Sequence, residues 1–174
     1  MITLDHRPFQ EADAPTICSF PCSADELFFM TAETDRLTAP DQLKATLGQG
    51  HDPMVGLWEG RVAGYVDYVE VHAKKFCAIG HMVVDPQLRR KGIGTYLVGI
   101  MIQKAIDQYA VRFVRASCIS HNKPAYALFH KLGFRPATMV QRLGPDGDPV
   151  LMIHLHLLKR YWKGRGIRQD PAGG

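Results

Sequence analysis

Apolar and polar positions along the 174-residue chain change period several times, and each change marks an element. Residues 54–58 and 62–71 are apolar-rich runs separated by Glu59, Gly60 and Arg61, a pattern that predicts an antiparallel hairpin. Residues 76–84 read as the next strand, closed by Asp85-Pro86. From 94 to 109 the spacing becomes helical, with Leu97, Ile100, Met101 and Ala105 on a face that can lie against a sheet. A strand at 113–119, a helix at 124–132 stopped by Gly133, and strands at 134–140 and 149–157 follow. Pro145 to Asp148 supplies the turn between those last two strands. The N-terminal third reads as helical after a short strand. Ser23 with Glu26 makes a capping-box pattern before Leu27, Phe28, Phe29 and Met30, and Thr38, Pro40 and Asp41 open a second helix that runs through Leu47 and ends at Gly48. Both helices are expected to flank the functional region. Phe28, Phe29 and Met30 suit either a core or an acceptor pocket.

Composition narrows the class. With 46% hydrophobic and 22% charged residues, the chain reads as one compact domain. A chain of this length hides roughly 70% of its unfolded surface, so it needs no disulfide or metal staple. Its longest apolar helical run is interrupted by Gly99 and too short to span a bilayer, and residues 1–8 carry Asp5, His6 and Arg7 where a signal peptide would be apolar. A cytoplasmic protein with no membrane partner is expected.

The net charge of +4 would suit a polyanionic partner, but its distribution changes that reading. Residues 1–70 hold 12 acids against 4 bases, and residues 71–158 hold 4 acids against 12 bases. The balances are −8 and +8, so the whole excess lies in residues 159–174, a glycine-containing basic tail read as loose. A tail is not a basic domain, and nucleic acid is not the expected partner. The expected domain therefore spans 1–158. The four cysteines include no CxxC pair, and Cys18 with Cys22 lacks a second pair at zinc spacing. His154 and His156 share a strand face, as in any half-buried strand. No metal is expected.

The chemistry concentrates in Val83-Val84-Asp85-Pro86-Gln87-Leu88-Arg89-Arg90-Lys91-Gly92-Ile93-Gly94, which joins a buried strand to the long helix. Small residues let backbone approach a ligand, amides at a helix start point outward, and three cations stand beside them, which suits a pyrophosphate. The loop is not a P-loop, for no Gly-Lys-Ser/Thr follows, and not a dinucleotide fingerprint, for the third glycine is missing.

Two segments resemble the GNAT superfamily of acetyl-CoA-dependent N-acyltransferases. Arg89 to Gly94 matches its Q/R-x-x-G-x-G/A signature, and Asn122 to Phe134, with Ala125, Leu128, Phe129, Lys131 and Gly133 in place, is similar to its second motif, N-x-x-A-x-x-L-Y-x-K-x-G-F. The resemblance covers residues 54–157. It implies a three-layer α/β (α+β) domain, with a mixed, mostly antiparallel sheet of six to seven strands flanked by helices. It also implies acetyl-CoA as co-substrate. The backbone of Met82, Val83 and Val84 would bind the pantetheine arm, Arg89, Arg90, Lys91, Gly92, Ile93, Gly94 and Thr95 the pyrophosphate, and Asn122 and Phe129 the cofactor near its pantetheine. Pantetheine is rich in amides, so a strand edge exposed where two neighbours splay can pair with it, and an amide there can stabilise an oxyanion.

Phe129 departs from the motif, because it replaces the tyrosine that protonates the leaving thiolate. Tyr126 lies nearly one turn earlier and is the substitute of choice, with Ser120, His121, Cys118 or water as alternatives. A base is also needed, since an amine is mostly protonated at neutral pH. His81 is the candidate, beside Asp67, Glu70, His72 or a water chain. The expected reaction is acetyl transfer to a primary amine, small or peptidic, by direct attack in a ternary complex, with Cys118 as an acyl-carrying nucleophile the lesser alternative. The acidic first 70 residues favour a cationic acceptor. A homodimer is allowed for. The rival reading, raised by Phe129, is a catalytically inactive acyl-CoA sensor.

Overall fold

A computed structural model describes residues 3–31 and 40–167. It contains one seven-stranded sheet: β1 Leu4–Pro8, β2 His51–Trp58, β3 Arg61–His72, β4 Phe76–Val84, β5 Phe113–Ile119, β6 Arg135–Leu143 and β7 Pro149–Leu158. The spatial order is β1-β2-β3-β4-β5-β7-β6, and every neighbouring pair is antiparallel except β4 with β5. A parallel pair needs a crossover, and the helix α4, Ile93–Tyr109, provides it. The shorter helices are α1 Ala14–Cys18, α2 Ala24–Thr31, α3 Pro40–Thr46 and α5 Lys123–Leu132. The mixed, mostly antiparallel sheet between helical layers is the one that the resemblance implies.

Each face of the sheet carries its own core. On one, Leu97, Met101, Ile102 and Ala105 of α4 bury against Val66, Tyr68, Ile79 and Val114, joined by Phe129 and Leu132 of α5. On the other, Ile17, Leu27, Met30 and Leu43 of α1 to α3 cover Val55 and Tyr65. A small third cluster places Phe28 of α2 against Ile119 and Met152, at the ends of β5 and β7. Phe28 and Met30 are thus core residues, while Phe29 is half-buried and edge-on to His121.

The strands fall where alternation predicts them, and Glu59 and Gly60 form a two-residue turn with both φ angles positive (50° and 79°). Three details differ, and a fourth lies outside the described residues. The short helix α1 has no counterpart in the sequence reading, because five residues are too few to display a helical period. The capping box is half made: Ser23 Oγ accepts from the Glu26 amide at 3.1 Å, while the Glu26 carboxylate accepts from the Cys22 amide at 2.8 Å. The expected start of the next helix at Thr38 lies outside the described residues. The tail, expected to be loose, is docked as far as residue 167: a 3-10 turn at Lys159–Tyr161 leads to Trp162, whose indole N–H donates to Gln103 Oε1 at 2.9 Å. Among the described residues no helix is long and apolar enough to cross a membrane.

Candidate active site

The site begins where the parallel pair comes apart. The β4–β5 ladder runs from Phe76↔Phe113 to Ile79↔Ala116 and ends there, while β4 continues beside β3 through Tyr65↔Val83 and Gly64↔Val84. The opening leaves Met82, Val83 and Val84 half-buried on the edge that faces β5. Backbone amides and carbonyls on such an edge can accept an amide-rich chain as though it were another strand.

An irregularity in β4 shapes this edge. Between the pairs Tyr65↔Val83 and Asp67↔Gly80, one residue of β3, Val66, opposes two of β4, His81 and Met82, so β4 bulges there. His81 has φ 44°, and a bulge re-aims its side chain. The ring is 6% exposed, and its Nδ1 lies 3.0 Å from both oxygens of fully buried Asp67. Tyr65 completes the group: its hydroxyl donates to Asp67 Oδ2 at 3.0 Å and accepts from the Gly48 amide at 3.0 Å. Burial, and then the Asp67 charge, push the phenol of Tyr65 far up, so it remains a donor. Gly50 closes over the carboxylate so tightly that a Cβ there would lie 2.3 Å from Asp67 Oδ2. With Asp67 accepting at Nδ1, the proton belongs on that nitrogen, which makes Nε2 the basic nitrogen of the ring.

Beyond Val84, Asp85 accepts from the Gln87 amide at 2.9 Å and caps the 3-10 turn Pro86–Leu88. The loop then reaches α4 through two residues in the left-handed region, Arg90 at φ 62° and Gly92 at φ 85°. Alternating hands of backbone turn successive amides the same way, into a concave anion nest at the head of a 17-residue helix. A Cβ on Gly92 would meet nothing within 4 Å, so the mouth of the nest is open and an anionic group fits it. Ile93 and Gly94 are buried and pin the start of α4; Thr95 is half-buried.

The three loop cations differ. Arg90 is exposed, and Lys91 lies over the Trp58 ring at 5.2 Å. Arg89 is held by Glu26 of α2 through two bonds of 2.7 and 2.9 Å. This pairing holds the Glu26 carboxyl below the usual carboxylate range. The sequence reading missed Glu26 because a contact 63 residues long has no local signature. Tyr65 was also missed, although its spacing of two from Asp67 puts both on one strand face.

Of the second motif, Asn122 caps α5, its Oδ1 accepting from the Ala125 amide at 3.4 Å. Tyr126 is half-buried in the first turn of that helix, parallel to His130 at 6.1 Å. Phe129 is 4% exposed and packs edge-on against Phe134, so its ring belongs to the core. Two alternatives for the base fall away from the opening: Glu70 and His72 pair with each other at 3.0 Å, and they sit opposite Ala78 and Phe76, at the far end of β4. Burial pushes the Cys118 thiol up to about 11, which removes its nucleophilic form at neutral pH. Among the described residues no three of His, Cys, Asp and Glu gather as a metal requires.

Comparison with solved structures finds the same architecture elsewhere. A GNAT-family acetyltransferase from Bacillus anthracis superposes with a TM-score of 0.71 at 15% identity, over 90% of this chain and 95% of that one. A GCN5-related N-acetyltransferase from Brucella melitensis gives 0.73 at 16%, over 91% and 77%. A spermidine N-acetyltransferase from Vibrio cholerae, in complex with CoA and spermine, gives 0.73 at 13%, over 90% and 96%. No curated protein matches the chain. The model of the acetyltransferase (GNAT) family matches residues 19–134, from the segment before α2 through α4 to just past the end of α5. Since that match takes in well over half of the sequence and the whole splayed site, the chain belongs to the GNAT family of acetyltransferases, enzymes that use acetyl-CoA.

Proposed function

We propose that this enzyme transfers the acetyl group of acetyl-CoA to a primary amine by direct attack in a ternary complex, within one domain spanning residues 1–158. The observation that carries the reading is the β4–β5 opening, followed within a few residues of the end of β4 by the nest at Arg90 and Gly92. In this reading residues 89–95 hold the pyrophosphate, the edge of β4 at Met82 to Val84 pairs with the pantetheine arm, and Asn122 and Phe129 border it. His81 Nε2 takes a proton from the neutral acceptor amine as it attacks, and Asp67 holds the imidazole while it is charged. The amine nitrogen bonds to the thioester carbon, the C–S bond breaks, and the sulfur leaves as a thiolate. Tyr126 returns a proton to it, a step that a thiol pKa near about 8.5 makes undemanding. No acyl-enzyme is involved. The setting is cytoplasmic, in keeping with four free cysteines.

The acceptor in this proposal is cationic, either a polyamine-like small molecule or a lysine-bearing peptide. The bias toward acids in residues 1–70 supports it. The second reading, an acyl-CoA sensor without turnover, draws on the hydroxyl-free ring at Phe129. Free-thiol release from acetyl-CoA, measured with spermidine, a lysine peptide and glutamate as acceptors, separates the two. Amine-dependent release that favours the cations is expected. Tight acetyl-CoA binding with no amine-dependent release makes the protein a sensor, and preference for glutamate overturns the acceptor class.

A further inference from the structure

Residues 162–167 are more than a docked end, because their direction takes them to the phosphate loop. Trp162 touches α4 at Gln103. A Cβ on Gly99, one turn nearer the helix start, would lie 2.9 Å from the Arg165 carbonyl and 3.3 Å from Ile167 Cγ1. A Cβ on Gly166 would lie 2.7 Å from the Thr95 carbonyl, and Gly166 has φ 84°. The segment thus climbs α4 antiparallel to it, from Gln103 to Thr95, and two glycines make the approach possible. Thr95 is roughly 5 Å along the axis from Gly92 at the rise of an α-helix. Across the seam, the Arg165 guanidinium donates to the Lys131 carbonyl on α5 at 3.4 Å, so the arm straddles both helices. Lys131, Lys163 and Arg165 are all exposed there. The sequence has no Asp or Glu between Asp85 and Asp107 or between Asp107 and Asp146, so neither the loop, the first three turns of α4 nor α5 brings an acid to this seam.

A cationic strip beside a pyrophosphate nest matches one feature of coenzyme A, the 3′-phosphate on the ribose next to the pyrophosphate. We propose that the arm at residues 162–167 is a specificity element for the cofactor: Lys163 and Arg165 extend the phosphate-binding surface and favour the 3′-phosphorylated form over dephospho-CoA. The proposal rests on the assignment of residues 89–95 to the pyrophosphate. Charge-assisted contacts from an Arg and a Lys to a phosphate dianion supply the discrimination, and the exposed setting keeps it modest and salt-dependent.

Calorimetric titration of the full chain with acetyl-CoA and with acetyl-dephospho-CoA tests it, using K163Q/R165Q and, as a charge-matched control, K159Q/R160Q. The control pair lies at the other end of the tail, where the Lys159 amide donates to the Arg112 carbonyl. Both variants alter exposed side chains and leave Trp162 and the glycines in place. Weakening of acetyl-CoA binding by roughly 5- to 20-fold in K163Q/R165Q alone, with the dephospho form unaffected, is the expected result. Equal loss for both ligands, equal loss in the control, or no loss overturns the specificity role. If the unaltered protein binds neither ligand, the pyrophosphate assignment itself is wrong, an outcome distinct from all of these.

Discussion

The backbone at His81 costs energy: a residue with a Cβ at φ 44° is roughly 1–2 kcal/mol above its relaxed state. What the bulge gains is a histidine aimed at Asp67 from across a strand pair, buried and fixed by a carboxylate that Tyr65 hydrogen-bonds and Gly50 packs closely against. If His81 is the base, H81Q lowers kcat by about 10²- to 10⁴-fold while acetyl-CoA affinity stays within threefold, and Y126F lowers kcat by about 10²-fold. Stopped assays of thiol release with saturating amine measure both. Rates within threefold of the parent in either variant would return that proton to water. The sequence alone makes His81 visible, since it stands just before the loop, but its link to Asp67 depends on a β3–β4 register that a bulge has shifted by one. Asn122 and Phe129 are visible through their motif, yet capping and core packing occupy both side chains, as only the folded chain reveals.

Among elements, α2 stands out because it is tied to the phosphate loop. Glu26 spans from the first turn of α2 to Arg89 with a two-point contact, so this helix and the loop proposed to hold the cofactor share one ion pair. Releasing Arg89 should strengthen acetyl-CoA binding by about 2- to 5-fold, because one negative charge leaves the phosphate site, and should weaken the fold by roughly 0.5–1 kcal/mol. E26Q examined by calorimetry and thermal melting checks both signs. Unchanged affinity would mean that Arg89 does not reach the phosphates. The strands at 76–84 and 113–119 coincide with the observed β4 and β5, since each is a buried run bounded by turn residues. The tail was unreadable for a different reason: its composition is that of a flexible segment, and its order comes from a groove on α4 that Gly99 opens 67 residues earlier in the chain.

For the whole molecule, the charge split of −8 and +8 becomes an interlocking of the two halves. Glu26 meets Arg89, Asp52 meets Lys104 at 3.4 Å, and Glu70 meets Arg115, each an acid of the front half with a base of the back half. Asp13 is claimed within the front half by Arg7, at 2.7 Å. Much of the acidic field that the count suggests is therefore spent on holding the fold, and the preference for cationic acceptors should be correspondingly small. Stability should follow these pairs. Hydrogen bonding from Arg7 holds Asp13 below the usual carboxylate range, Arg89 does the same for Glu26, and Glu70 is lowered by His72 and Arg115 even though burial pushes the other way. A carboxyl whose folded pKa is depressed binds fewer protons folded than unfolded. Its contribution is complete above the unfolded value of about 4 and is lost as pH falls through the folded one. Thermal midpoints should drop below about pH 4, with roughly 1–3 kcal/mol shared by the three carboxyls. In D13N/E26Q/E70Q the midpoint at pH 7 should be lower and the acid-side drop shallower by that amount. Parallel acid-side curves for the variant and its parent would show instead that other carboxyls govern acid unfolding, and that the cross-half pairs add no net stability.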